Sequence, residues 1–279
     1  MTDIFDDLPL LIDSHCHLTS ARFDEDRDAL IEAFPAAGLA GAIGIGTGLA
    51  DAAALWSLCQ RHRGRLLPAA GLDPFTAHAA GDAFTDELAR LTDFHRTHRC
   101  VAVGEIGLDY HYELGSATEQ RARLEPQLAL AVELDLPVVI HVREAHDDLM
   151  AILREHPARG VIHSFTAGPT EADSYLALGW HLSFNGVATF KNAPEVREAV
   201  RLTPSERLLV ETDSPYLAPE PLRGRRCQPA HLRHTVIRLA AERSERPADL
   251  ATSTTQNACR LFGLSINAEA GLASTTPAG

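Results

Sequence analysis

The sequence predicts a single (β/α)8 barrel of the α/β class. Two observations carry this. Short apolar runs alternate with amphipathic stretches along the chain, the pattern of a parallel sheet with helical crossovers. The runs are continuously apolar instead of alternating, as expected of strands buried on both faces. Eight such units favour closure over an open doubly wound sheet, and no Gly-x-Gly-x-x-Gly fingerprint follows the first run.

Taken in order, the candidate strands are "LLID" (10–13), "AIGIG" (42–46), "LLPAAGL" (66–72), "CVAVGEIG" (100–107), "VVIHV" (138–142), "GVIHSF" (160–165), "WHLSF" (180–184) and "LLVET" (208–212). Between them, "DEDRDALIEAFPAAG" carries Leu30, Ile31 and Phe34 at helical spacing, with Gly38 as a C-terminal stop. "ATEQRARLEPQLALAVELDL" has Leu124, Leu128 and Ala131 on one stripe, and Pro126 is expected to kink or divide that helix. "EVREAVRL" and "PAHLRHTVIRLAAE" read as two further helices. The barrel is assigned to residues 1–266, and "NAEAGLASTTPAG" (267–279) is expected to be a disordered tail.

Composition narrows the function classes. The 279 residues are 45% hydrophobic and 23% charged, ordinary for a globular chain with a real core. No apolar run is long enough to span a membrane, and the acidic opening "MTDIFDDLPL" does not read as a secretory signal. Five scattered cysteines, none in a Cys-x-x-Cys pair, argue against a disulfide framework or a zinc knuckle and suit a reducing cytoplasm. A net charge of −13 gives no long-range attraction for nucleic acid. Lys191 is the only lysine, which reads as base-composition bias.

The histidines decide more. Active sites of such barrels lie at the carboxyl ends of the strands. His15 and His17 close the first strand, two residues apart, so an extended backbone aims both rings at one point and turns Cys16 away. Glu105 is expected at the end of strand four, His141 of strand five, His163 of strand six and Asp213 of strand eight. Six metal-ligating side chains thus reach one rim from five strands. That exceeds the three protein ligands of a single catalytic ion. The set suits two divalent ions per subunit, Mg²⁺, Mn²⁺ or Zn²⁺, with Glu105 as the bridge and Asp213 as ligand and general base. His62, His95, His98 and His156 fall among charged helical residues and read as solvated surface.

The blocks "DSHCHL", "VGEIGLDY", "PVVIHVREA", "IHSFTAG", "LSFNGVATFKNA" and "ETDSPYLAP" resemble successive motifs of the TatD family of metal-dependent deoxyribonucleases, within the amidohydrolase-like metal-dependent hydrolases. The resemblance runs from Leu11 to about Leu264. It implies a metal site at the same six residues and a DNA substrate, single-stranded or end-directed. It also leaves open an ester or amide substrate, such as D-aminoacyl-tRNA. Three segments depart from the family pattern. "GLDPFTAH" has Asp73 and Phe75 in place of the usual histidines, "HSFTAG" replaces His-Cys-Phe-Ser-Gly, and "RGRRCQP" has Cys227 for Asn.

For substrate contacts the sequence offers Arg143, two residues beyond His141, and Arg223, Arg225 and Arg226 in the loop after strand eight, as phosphate clamps. Tyr110 and Phe75 are candidates for base stacking. Asn185 and Lys191 receive no role, and no protein partner is implied. A non-catalytic barrel would be expected to lack Glu105 or Asp213, and both are present.

Overall fold

The structure is a computed structural model that describes residues 8–267 and 271–275. Eight parallel strands form one sheet in sequence order: β1 (Leu11–Cys16), β2 (Leu39–Thr47), β3 (Leu66–Gly71), β4 (Ala102–Asp109), β5 (Val138–Arg143), β6 (Gly160–Ile162), β7 (His181–Phe184) and β8 (Leu208–Val210). The expected strands are all present, with ends shifted by up to a few residues. β2 is longer than expected and β4 is shifted two residues later, whereas β6 and β8 stop three and two residues early.

The early stop of β8 changes how the barrel closes. No regular ladder joins β8 to β1. The segment just past β8 crosses to the end of β1 instead: Asp213 N–H donates to His15 O at 2.9 Å, and His17 N–H donates to Ser214 O at 2.7 Å. Below this seam, Asp13 accepts from Thr212 N–H (2.9 Å), Thr212 Oγ1–H (2.5 Å) and His15 N–H (3.3 Å). Burial nonetheless pushes the Asp13 carboxyl up to about 7. A buried acceptor with three donors fixes the backbone on both sides of the seam.

The core follows from the pleat. Leu11, Ala42, Val103, Val138, Ile140, Ile162, Leu182 and Leu208 pack with helical residues such as Leu124, Leu128, Leu149 and Val236. Ile12, Ile43, Ala69, Val139, Val161 and Leu209 form a second cluster, completed by Phe262, Leu264 and Leu272. Of the tail expected to be disordered, residues 267 and 271–275 are instead paired and packed, and the rest of it lies outside the described residues. β9 (Leu264–Asn267) pairs antiparallel with β10 (Gly271–Ser274), and Leu272 N–H donates to Gly64 O at 2.7 Å. Leu272 is 2% exposed, and its side chain fills the space above Gly41, near the amino ends of the strands. The acidic opening lies mostly outside the described residues.

Pro126 does not divide its helix, which runs unbroken from Ala117 to Glu133. The capping box of Ser116 and Glu119 starts it. Gln127, one residue past the proline, accepts from Leu72 N–H and donates to Leu72 O, tying the helix to the end of β3. Among the described residues no helix is long and apolar enough to cross a membrane.

A candidate metal centre at the carboxyl end of the barrel

The local sequence brings each of the six predicted side chains to the barrel mouth. Along β1, Cys16 turns toward Ile43, while the His15 and His17 Nε2 atoms meet at 3.1 Å. Glu105 is not at the end of β4 as expected. It sits inside the strand, at an irregularity in the β4–β5 register between Gly104 and Ile106. Gly107 follows with φ +158°, and a Cβ there would stand 1.9 Å from His141 O, so glycine is needed for β5 to approach this closely. His141 lies within β5, and His163 is the first residue after Ile162, the last of β6. Asp213 is three residues past β8, with φ +54°, a left-handed conformation unusual for aspartate, held by the seam hydrogen bonds.

Glu105 is the hub. Its Oε1 is 2.9 Å from His141 Nδ1 and 3.1 Å from His163 Nε2. Its Oε2 is 3.4 Å from His15 Nε2 and 3.8 Å from His17 Nε2. Asp213 Oδ1 faces the same pair, 3.3 Å from His17 and 3.7 Å from His15. The His15 and His163 rings stack at 4.0 Å. His15, Glu105, His163 and Asp213 are buried, and His17 and His141 are half-buried.

Electrostatics follow from this packing. Burial would raise the Glu105 carboxyl, but His163, His141 and His15 outweigh it and hold Glu105 well below the usual carboxylate range. Burial likewise acts to raise Asp213, yet His17 and His15 keep it low. For His163, burial favours the neutral ring, but Glu105 and Glu211 push its pKa well up. Burial opposes the charge on His141 too, yet Asp109 and Glu105 raise it to about 9. His15 goes the other way, lowered by burial and by His163. Two ionised carboxylates facing four imidazoles form a centre that draws positive charge.

The donor set fits a divalent ion. Ligands about 2.0–2.1 Å from a tetrahedral ion stand roughly 3.3 Å from one another, and the contacts above span that value. Among the described residues three overlapping groups have donor atoms close enough to hold an ion: His15, His163 and Asp213; His15, His17 and Glu105; Glu105, His141 and His163. Each group includes at least one carboxylate, and Glu105 belongs to two of them.

Two acidic residues that sequence reasoning left without roles support this centre. Asp109 Oδ2 contacts His141 Nε2 at 2.9 Å, and its Oδ1 accepts from His111 and Tyr112 N–H. Glu211 accepts from Ser164 N–H at 2.6 Å and lies 3.4 Å from His163 Nδ1. Both were visible, in "GLDY" and "ETDSP", but their partners lie 32 and 48 residues away in the chain. Asn185 also contributes here, donating to Ser164 Oγ at 2.7 Å.

Above the cluster opens a cavity of about 820 Å³, lined by Asp51, Asp73, Phe75, Tyr112, Arg143, Thr166, Tyr216 and the centre itself. Of the four predicted phosphate clamps only Arg143 lines it. Arg226 is held by Asp26 (2.8 and 2.5 Å) and by Arg22 O, and lies over the Phe23 ring. Arg223 lies over Phe190, and Arg225 is exposed away from the cavity. Tyr110 donates to Asp148 instead of facing the mouth, whereas Phe75 does face it. Cys227 is buried beside Thr212 and Pro215, so of the noted departures Asp73 and Phe75 reach the mouth and Cys227 does not. His62 and His95 are not solvated surface. His62 is buried between Asp28 and Glu32, and His95 Nε2–H donates to Ala70 O.

Comparison with known proteins points one way. A family model described as TatD related DNase matches residues 12–263. A metal-dependent hydrolase of Bacillus subtilis, YabD, is 33% identical over 256 residues, covering 91% of this chain and 99% of its own. The 3'-5' ssDNA/RNA exonuclease TatD of Erwinia tasmaniensis is 35% identical, covering 91% of this chain and all of its own. The crystal structure of YjjV, a TatD homologue of Escherichia coli, superposes with a TM-score of 0.84 at 28% identity, covering 91% of this chain and 98% of its own.

Proposed function

The chain belongs to the TatD related DNase family of metal-dependent hydrolases, and from that premise we propose that it hydrolyses phosphodiester bonds at the unpaired ends of nucleic acid, DNA first. The observation that carries this reading is the convergence of four imidazoles and two ionised carboxylates at the floor of an open mouth beside one uncommitted cation. Arg143 makes no ion pair with any described residue and stands two residues beyond His141.

In this reading His15, His17, Glu105, His141, His163 and Asp213 would hold two divalent ions, Mg²⁺, Mn²⁺ or Zn²⁺, and Glu105 would serve both, since it belongs to two of the donor groups. Such ions, when bound, lower the pKa of water and neutralise the phosphate. The chain's own residues do the rest. Asp213, fixed by its seam hydrogen bonds, accepts the proton of the attacking water at Oδ1. Asp109 and Glu211 hold His141 and His163 in one ring orientation, as acidic partners of ligating imidazoles do. Arg143 donates to a phosphate oxygen of the entering strand. Its similarity to the Erwinia 3'-5' ssDNA/RNA exonuclease supports a 3' to 5' direction on single strands of DNA or RNA.

The test is nucleotide release from a single-stranded oligonucleotide by metal-stripped protein with each ion restored, beside Asp213→Asn. Restored release in wild type and a loss of about 10³-fold in the variant are expected for removal of a general base. No release with any ion, together with turnover of an aminoacyl ester, would replace the nuclease reading with an ester hydrolase.

A further inference from the structure

Among the described residues six large apolar side chains are notably exposed, and three of them, Phe75, Tyr112 and Tyr216, line the one mouth. Scattered exposed aromatics are ordinary, but their gathering in an otherwise polar cavity marks a place where a ligand supplies the missing contact.

Phe75 and Tyr112 are in contact, ring centroids 5.2 Å apart and tilted by 58°, yet remain 43% and 48% exposed. The Arg143 guanidinium lies over the Tyr112 ring, 5.2 Å from its centroid. Tyr112 therefore joins all three into one row of contacts, and each lines the cavity.

The row is rigidly mounted. Phe75 is the second residue of the helix Pro74–Ala80, whose first turn is capped by Asp73 accepting from Thr76 N–H at 2.8 Å. Thr76 Oγ1–H also donates to Thr47 O at the end of β2. Tyr112 N–H donates to Asp109 Oδ1, the same carboxylate whose other oxygen holds His141. Arg143 ends β5, two residues after that histidine. The row therefore stands at a fixed offset from the metal centre, on the β3–β5 side of the mouth.

We propose that Phe75, Tyr112 and Arg143 form a shelf that takes one unpaired nucleobase of the substrate strand on its aromatic corner and the adjoining phosphate on its guanidinium. The inference rests on the nuclease reading above and deepens it by naming positioning residues. Two rings tilted at 58° cannot sandwich a base, but they offer one ring as a stacking face and the other as a wall. Stacking is tolerant of base identity because every base has a π-face. A base in a duplex has both faces covered, so the shelf selects for unpaired strands. The selecting ring comes from Phe75, where the family pattern has histidine.

The experiment scans a single abasic residue through the last four positions of a single-stranded oligonucleotide and measures kcat/KM for wild type, Phe75→Ala, Phe75→Trp and Tyr112→Ala. Wild type is expected to lose about tenfold or more at one position. At that position Phe75→Ala and Tyr112→Ala should turn over base-containing and abasic substrates alike, whereas Phe75→Trp should keep the discrimination. Equal abasic penalties in wild type and both alanine variants would overturn the shelf while leaving the nuclease intact. Absence of oligonucleotide turnover by wild type itself would overturn both. Misfolding of an alanine variant would show as a lowered Tm, and the Phe75→Trp comparison with the abasic scan would then decide alone.

Discussion

Asp213 and His15 are joined twice: the Asp213 N–H donates to His15 O at 2.9 Å, and Asp213 Oδ1 stands 3.7 Å from His15 Nε2. The first contact closes the barrel between β1 and the end of β8, and the second belongs to the candidate metal centre. Closure and chemistry are therefore parts of one structure. A cation bound there would hold the seam, and binding to the native state alone would add stability by mass action, about 2.7 kcal/mol at a hundredfold excess over Kd. Metal-stripped protein should accordingly melt several degrees lower, and restoring the ion should recover the Tm. An unchanged melting curve across saturating metal would separate the seam from the ion.

Asp109 reaches no other predicted ligand than His141, which makes it a clean probe of ring orientation. Asp109→Ala should weaken metal binding about 10- to 100-fold while leaving the ligand set complete. Isothermal titration of stripped protein measures this directly. An affinity equal to wild type would show that His141 is oriented by β5 alone.

Arg143 and Arg226 should respond differently to alanine. Arg143→Ala should raise KM for oligonucleotides and reduce the slope of log K against log salt by roughly 0.7, one phosphate contact on a single strand. Arg226→Ala breaks a partly exposed pair with Asp26 and should cost at most about 1 kcal/mol of stability, with the salt slope intact. Salt-dependent binding of both variants checks the pair, and a changed slope in Arg226→Ala would return that loop to the substrate path.

His95 gives an acid limb to stability. Burial first of all lowers its pKa from 6.5 to about 4, against the hydrogen bond to Ala70 O. The folded protein thus holds the neutral ring, and the unfolded chain binds the proton more readily. Stability is full above about 6.5 and falls as pH drops toward 4, by roughly 3 kcal/mol in all. His95→Gln, whose amide can still donate to Ala70 O, should lose less between pH 7 and 4.5 in urea melts. Equal losses in both proteins would assign the acid limb elsewhere.

What the sequence made legible was local, and what it hid was not. His15 and His17 could be read because strand alternation alone puts them together. The barrel could be read because each strand announces itself by a few apolar residues. Glu105 was found but misplaced, since an irregularity in register beside Gly104 is a relation between β4 and β5 and leaves no local signature. Arg226 looked free because its partner Asp26 lies 200 residues earlier. His62 and His95 looked solvated among charged neighbours, yet one is enclosed by Asp28 and Glu32 and the other by the end of β3. The tail looked disordered because it is small and polar, but a single leucine, Leu272, seats its segment 271–275 over Gly41.

The proposed two-ion centre depends most on Glu105, the residue shared by two of the donor groups. Titrating metal-stripped wild type and Glu105→Gln with Mn²⁺ or Zn²⁺, and counting ions per chain, tests this directly. Two ions in wild type, with binding largely lost in Glu105→Gln while Tm without metal changes little, is the predicted result. Binding of two ions by Glu105→Gln with wild-type affinity would contradict the central claim.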